Sequence, residues 1–222
     1  MPNTQLLPGA AGPVEILIDA IANPRAVALV AHPHPMMGGH AQHTLPFTLA
    51  CALNHAGAST WRPNFRGVGG SAGNYDHGNG ETDDLLAVLG HLCHAHPGLP
   101  VLLVGFSFGA HVVCRVAARC AEHQLGYRDA ILCGLPHGDV PAHRHYDSPR
   151  LPDALLIHGE RDQNVPLQQP LAWAAEAGLA VNVVPGADHF FTGKLKVLAR
   201  LVSDRVALRL VQPCHSVGYA SI

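Results

Sequence analysis

From residue 14 almost to the end of the chain, apolar runs rich in β-branched residues alternate with longer segments whose apolar positions recur at helical spacing. That alternation argues for a mostly parallel sheet with helices on both faces. The runs Val14–Asp19, Val27–Ala31, Thr60–Phe65, Val101–Phe106, Ala130–Cys133, Ala154–His158 and Val181–Val184 are read as its strands, about seven in an open α/β sheet. Helical patterns fall at about 43–56, 82–95, 108–123, 167–177 and 193–210. Gly57, Gly126 and Gly178 stand where C-caps are expected. One stretch has neither period: Leu135–Pro152, dense in Pro and His, is too short and irregular for a folded cap.

No repeat, low-complexity tract or linker marks a boundary, so the 222 residues are read as a single domain without a cap domain, with 1–12 and 212–222 as flexible tails. Hydrophobic residues make up 48% of the chain and charged residues only 14%, against about 25% on average, which excludes global disorder. The formal charge of −2 offers no basic field, so nucleic acid and anionic membrane are not expected partners. The first residues lack the basic and apolar regions of a secretory signal, and no apolar run reaches the ~18 residues of a membrane span. A cytoplasmic location is expected. The six cysteines form no Cys-x-x-Cys pair and read as buried thiols, with Cys214 the one expected at the surface.

Candidate chemistry enters at Gly105-Phe106-Ser107-Phe108-Gly109, which runs from an apolar strand into a helical pattern. A serine on such a strand-to-helix turn, flanked by glycines that permit tight backbone, is the setting of an exposed nucleophile. Ser71 also sits in a Gly-x-Ser-x-Gly match, but the NYDHGNGE that follows it has no helical period. A serine hydroxyl is a weak nucleophile at neutral pH and needs a histidine base oriented by a carboxylate. His189 follows the strand at Val181–Val184, and Asp162 follows the strand at Ala154–His158, both on the sheet rim where open α/β sheets collect their sites. Glu160 reads as a solvated loop charge. Asp188, adjacent to the histidine, is expected to point away from it.

The segments HPHPMMGG (32–39), NFRGVGGSAG (64–73), GFSFG (105–109), GERDQNVP (159–166) and PGADHFF (185–191) together resemble the α/β-hydrolase superfamily, within it the small, lidless bacterial serine hydrolases of esterase type. The resemblance omits roughly the first dozen residues and the last ten. It implies Ser107 as nucleophile, His189 as base and Asp162 as acid, with an oxyanion hole built partly from the loop after Val27–Ala31. Pro33 stands where the family has glycine, and neither Pro33 nor Pro35 has an N–H to donate. The backbone N–H of His34 is therefore the first choice, Met36 the second, and the other donor is that of Phe108. Met36, Met37, Phe108 and Phe190 are expected to bind substrate, with Phe106 and Phe191 also near the site.

Seventeen histidines, more than the 14 Lys and Arg combined, invite a metal reading. The pairs and triplets at His32/His34, His91/His94/His96 and His143/His145 lack the carboxylates or cysteines of a zinc site, so no metal is expected. Gly67-Val-Gly-Gly-Ser-Ala72 fits a dinucleotide fingerprint without the helix that should follow, no P-loop is present, and Arg66 reads as a loop anchor. The expectation is thus a serine hydrolase of carboxylic esters with small to medium acyl chains, working through an acyl-enzyme without a cofactor. Its expected partner is a small-molecule acyl ester. A thioesterase, peptidase or acyltransferase on the same fold remains open, as does a binding protein with a vestigial triad.

Overall fold

The computed structural model describes residues 3–211. In chain order it holds β1 (Asn3–Gly9), β2 (Gly12–Asp19), β3 (Ala26–Ala31), α1 (Thr44–His55), β4 (Ala58–Pro63), α2 (Asn79–Ala95), β5 (Val101–Phe106) and α3 (Phe108–Arg119). There follow β6 (Asp129–Cys133), β7 (Gly138–Val140), β8 (Arg144–Tyr146), β9 (Leu155–Gly159), α4 (Gln168–Ala177), β10 (Val181–Val184) and α5 (Leu195–Val211). The main sheet has eight strands in the order β1-β2-β4-β3-β5-β6-β9-β10. From β4 to β10 all neighbours are parallel, while β1 and β2 pair antiparallel at one edge. This is the α/β-hydrolase architecture, a mostly parallel sheet between two layers of helices.

The strand alternation explains the two layers. On β5, Val101 and Leu103 face one core with Leu85 of α2, Val112 of α3 and Trp173 of α4. Leu102, Val104 and Phe106 face the other, with Leu49 of α1 and Val202 of α5. Every residue of β3, β5 and β6 is buried, as befits central parallel strands covered on both sides. The register aligns Ala31, Gly105 and Cys133 with their neighbours, so the carboxyl ends of β3, β5, β6 and β9 open onto one rim.

Three expectations are corrected. Residues 3–9 are not a flexible tail: they form β1, hydrogen-bonded along β2 from Asn3↔Ile18 to Gly9↔Gly12. The pattern hid it because an edge strand over a solvent face carries little apolar signal, and most of β1 is exposed. The other expected tail, 212–222, lies outside the described residues, as does Cys214; Cys51 is the exposed thiol among those described. The stretch 135–152 carries a small hairpin, β7 paired with β8, that buries Val140 and Tyr146. Gly178 caps α4 in the left-handed conformation, but α3 ends at Arg119 with Cys120 as its cap, and the left-handed residue beyond it is Gln124, not Gly126. Among the described residues no helix is long and apolar enough to cross a membrane.

Candidate active site

Ser107 stands between the last residue of β5 and the first of α3, at φ 56° and ψ −123°. That backbone is left-handed at a non-glycine residue, which lifts the side chain clear of the strand. The flanking glycines are required by contact. A Cβ on residue 105 would lie 2.4 Å from the Gly109 carbonyl oxygen, and one on residue 109 would lie 2.4 Å from that of Ala31. The turn is tied to the sheet by the Ser107 N–H, which donates to the Cys133 carbonyl at 2.8 Å.

His189 arrives on the loop after β10. Its seat is fixed from below: Phe191 is fully buried at φ 52°, and Asp188 accepts the Thr192 N–H at 2.8 Å. That backbone hydrogen bond holds the Asp188 carboxyl below its ordinary value. Glu160 likewise accepts from the Gly186 backbone, at 2.7 Å. The carboxylate that meets His189 is Asp162, whose Oδ2 lies 2.7 Å from Nδ1. A carboxylate only accepts, so Nδ1 carries the ring proton and Nε2 is left to accept from Ser107 Oγ, 2.9 Å away. All three residues are buried. Asp162 is itself held by the N–H groups of Asn164 and Val165, at 2.9 and 2.8 Å on Oδ1.

His158, at the end of β9, was not singled out by the sequence. Its Nε2 donates to the Val165 carbonyl at 2.9 Å and lies 3.3 Å from Asp162 Oδ2. Burial pushes its pKa down, against the pull of Asp162, and its other ring nitrogen is buried with no hydrogen-bond partner among the described residues. A neutral His158 thus braces the loop that carries Asp162.

The loop after β3 is pinned by His32, whose Nε2 accepts the Phe65 N–H at 2.9 Å and whose Nδ1 donates to the Pro33 carbonyl at 2.7 Å. Burial holds the His32 pKa down at about 3, so it stays neutral. Next comes a one-turn 3₁₀ segment, Pro35–Met37. Met36 N–H points at His34 Nδ1, 3.2 Å away, and the N–H groups of Met37 and Gly39 both go to the His34 carbonyl. Among the described residues the backbone N–H groups of His34 and Phe108 have no acceptor, and the latter is a first-turn orphan of α3.

A cavity of about 80 Å³ opens beside Ser107, and Met37, His43, Arg144, Asn164, Val165 and Phe190 contribute to its lining. Of the expected substrate-facing residues, Met37 and Phe190 are there. Met36 projects into solvent at 72% exposure, and the Phe108 ring is 1% exposed, packed with Phe65 at 5.4 Å and His34 at 5.0 Å. Phe106 and Phe191 are core residues. Arg144, His43 and Asn164 gave no sequence signal, because loops far apart in the chain bring them together. A larger cavity, about 400 Å³, lies at the amino end of β4 beside Trp61 and His96, away from the serine.

The remaining motifs have structural roles. Ser71 Oγ donates to the Asn64 carbonyl at 2.8 Å and accepts the Glu15 N–H at 2.9 Å. Arg66 pairs with Asp84 at 2.8 Å. His91 meets the Pro8 carbonyl, and His145 meets Asp139. No group of three or more His, Cys, Asp or Glu among the described residues is arranged to hold a metal ion.

With this geometry in view, the likeness to known proteins is specific. The family model described as serine aminopeptidase, S33, matches residues 22–138. A serine hydrolase without a lid, XC6422 from Xanthomonas campestris, is 32% identical with a TM-score of 0.82, over 96% of this chain and 97% of its own. The chain belongs to the lidless α/β serine hydrolases. An α/β serine hydrolase homologue from Coxiella burnetii is 33% identical over 92% of this chain and 98% of its own, with a TM-score of 0.77. The uncharacterized protein RP471 of Rickettsia prowazekii (strain Madrid E) is 28% identical, covering 88% of this chain and 85% of its own length. The family match ends before Asp162 and His189, so their positions in this hydrolase rest on the geometry above.

Proposed function

We propose that this hydrolase cleaves carboxylic esters with small to medium acyl chains through a Ser107–His189–Asp162 triad. The observation that carries this is the unbroken hydrogen-bonded line from Ser107 Oγ through the imidazole to Asp162. His189 Nε2 takes the hydroxyl proton as Oγ bonds to the acyl carbon, and Asp162 stabilises the imidazolium that forms. The Phe108 and His34 N–H groups hold the oxyanion, each donor contributing about 3 kcal/mol to the transition state. The tetrahedral intermediate then expels the alcohol, which takes the proton from His189, and water repeats the sequence on the acyl-enzyme. No cofactor enters the reaction.

An 80 Å³ cavity is well below the roughly 300 Å³ of a site for drug-sized ligands, which favours a short acyl group. The family's aminopeptidase description raises the amide alternative. A free amino terminus is an ammonium that calls for a carboxylate, and the cavity lining has none; its one formal charge is Arg144. That favours esters. We place the enzyme in the cytoplasm, a reading supported by the free thiols of Cys51, Cys93, Cys114, Cys120 and Cys133. The test is incubation with a fluorophosphonate probe: Ser107 is labelled in the folded protein, and Ser107→Ala abolishes labelling. A folded protein that takes no label defeats the proposal. A panel of esters, thioesters and peptide analogues graded by acyl length then ranks the leaving groups by kcat/KM.

A further inference from the structure

Arg144, in β8, reaches back over the rim to line the cavity at Ser107. Its Nε donates to the Pro141 carbonyl at 3.2 Å, and one terminal nitrogen rests 3.4 Å from Met37 Sδ. The Tyr146 phenol, which burial pushes to a higher pKa, also hydrogen-bonds the Arg144 side chain, and none of these three neighbours is an anion. Several other arginines meet carboxylates, Arg62 with Asp19, Arg66 with Asp84, Arg119 with Asp83 and Arg205 with Asp129, while Arg25 and Arg115 meet the uncharged oxygens of Ala56 and Asn79 away from the cavity. Among the described residues Arg144 has no such pair, and the nearest acid on its own hairpin, Asp139, is engaged by His145 at 2.7 Å.

The rest of the lining reinforces this sign. Its polar side chains are Ser107, Asn164 and the imidazoles of His34, His43 and His189, and no carboxylate is among them. Asp162 is buried behind His189. The charge of Arg144 is felt inside the site: after burial, it is the largest contribution holding His34 down at about 4. A guanidinium at the mouth of a small cavity, without a counter-ion and with Met37 and Phe190 as apolar walls, is a receptor for an anion.

We propose that the enzyme's substrates are acid esters, carrying a carboxylate or phosphate on the acyl or alcohol portion, and that Arg144 binds that anion. The proposal rests on Ser107 being the nucleophile. Met37 Sδ, a weak acceptor, is displaced from the guanidinium by the anion, leaving two N–H groups for a bidentate contact. The apolar walls hold the methylenes between anion and ester, so the distance from anion to acyl carbon sets specificity.

Three matched pairs locate the anion when followed by pH-stat. Monoethyl adipate against ethyl hexanoate puts a carboxylate on the acyl side. 3-Butyryloxypropanoate against butyl butyrate puts it on the alcohol side, and 2-butyryloxyethyl phosphate against 2-hydroxyethyl butyrate puts a phosphate there. In at least one pair the wild type is expected to favour the anion about tenfold to a hundredfold in kcat/KM, mainly through KM. Arg144→Gln brings that ratio close to one, Arg144→Lys retains part of it, and added salt lowers it in the wild type. A ratio near one in every pair with Ser107 labelled normally, or a ratio unmoved by Arg144→Gln, overturns the proposal. Calorimetry on Ser107→Ala with adipate, 3-hydroxypropanoate and inorganic phosphate separates this outcome from a failure of the serine chemistry. Binding of one of them, lost on adding Arg144→Gln, supports the anion site even if no ester is turned over; no binding overturns it.

Discussion

Ser107 is held at φ 56°, where a non-glycine residue carries about 1–3 kcal/mol of strain, and the helix and sheet on either side hold it there. A similar constraint sits across the site at Gly134, at φ 59°, where a Cβ would lie 3.3 Å from both His189 Cε1 and Phe106 Cε2. Gly134→Ala therefore meets two penalties, the left-handed backbone and a push on the imidazole. We expect a loss of about 1 kcal/mol in stability and about tenfold in kcat, since the Nε2–Oγ distance opens with the ring. Thermal melts and kcat measured on the same preparation check this, and a lowered Tm with unchanged kcat would show that His189 is not displaced. At this scale the sequence was legible where a motif binds neighbours within a turn, as Gly105 and Gly109 do around Ser107. Arg144 was invisible because it acts on residues brought close only by folding, and His158 because its partners, Asp162 and Val165, sit on the adjoining irregular loop, where no period marks which side chains meet. Phe108 shows the converse: its backbone is where the motif puts it, but the first turn of α3 aims its ring into the core.

At the scale of elements, buried strands announced themselves by composition, and β5, β6 and β10 fall within a residue of where apolar runs put them. The hairpin of β7 and β8 did not, because polar contacts rather than a hydrophobic period hold that stretch. Ser148 is its pin. The hydroxyl donates to the Pro136 carbonyl at 2.8 Å and accepts from His111 Nδ1 at 2.8 Å, while the Ser148 carbonyl accepts the Trp173 N–H at 3.0 Å. The strand β1 was missed for the opposite reason, being half of an edge pair whose outer side is solvent. It nonetheless covers β2, whose Val14, Ile16 and Leu17 are buried. Deleting residues 1–10 leaves β2 as an open apolar edge, a template for pairing with another chain. The truncated protein is expected to self-associate and to melt at a lower temperature, yet its monomer fraction should still label at Ser107, since β1 and the rim of β5 are separated by β2, β4 and β3. Light scattering beside probe labelling checks both halves. A monodisperse truncation with unchanged Tm would show that β1 protects nothing.

Across the whole molecule, three of the seventeen histidines that first invited a metal reading are buried struts between segments. His32 joins the loop after β3 to Phe65, His111 joins α3 to Ser148, and His158 joins β9 to Val165. Each uses an imidazole as a compact hydrogen-bonding piece in a buried place, and burial lowers each pKa. His32 falls to about 3 and His111 to about 4, whereas in the unfolded chain both take up a proton near pH 6.5. The unfolded state therefore binds more protons than the native state below about pH 6.5, and stability rises with pH across that window. The stability is intact above about pH 6.5 and is lost as pH falls toward the folded values, by up to about 1.4 kcal/mol per pH unit for each histidine. Two such groups acting over about two pH units remove several kcal/mol, a large share of the roughly 5–15 kcal/mol of a typical domain. Urea midpoints measured at about pH 7 and about pH 5 should drop accordingly. His111→Gln keeps an amide donor within reach of Ser148 but cannot titrate, so its midpoint should change less between the two conditions. If the variant loses as much as the wild type, the acid sensitivity belongs to other groups and His111 is not its source.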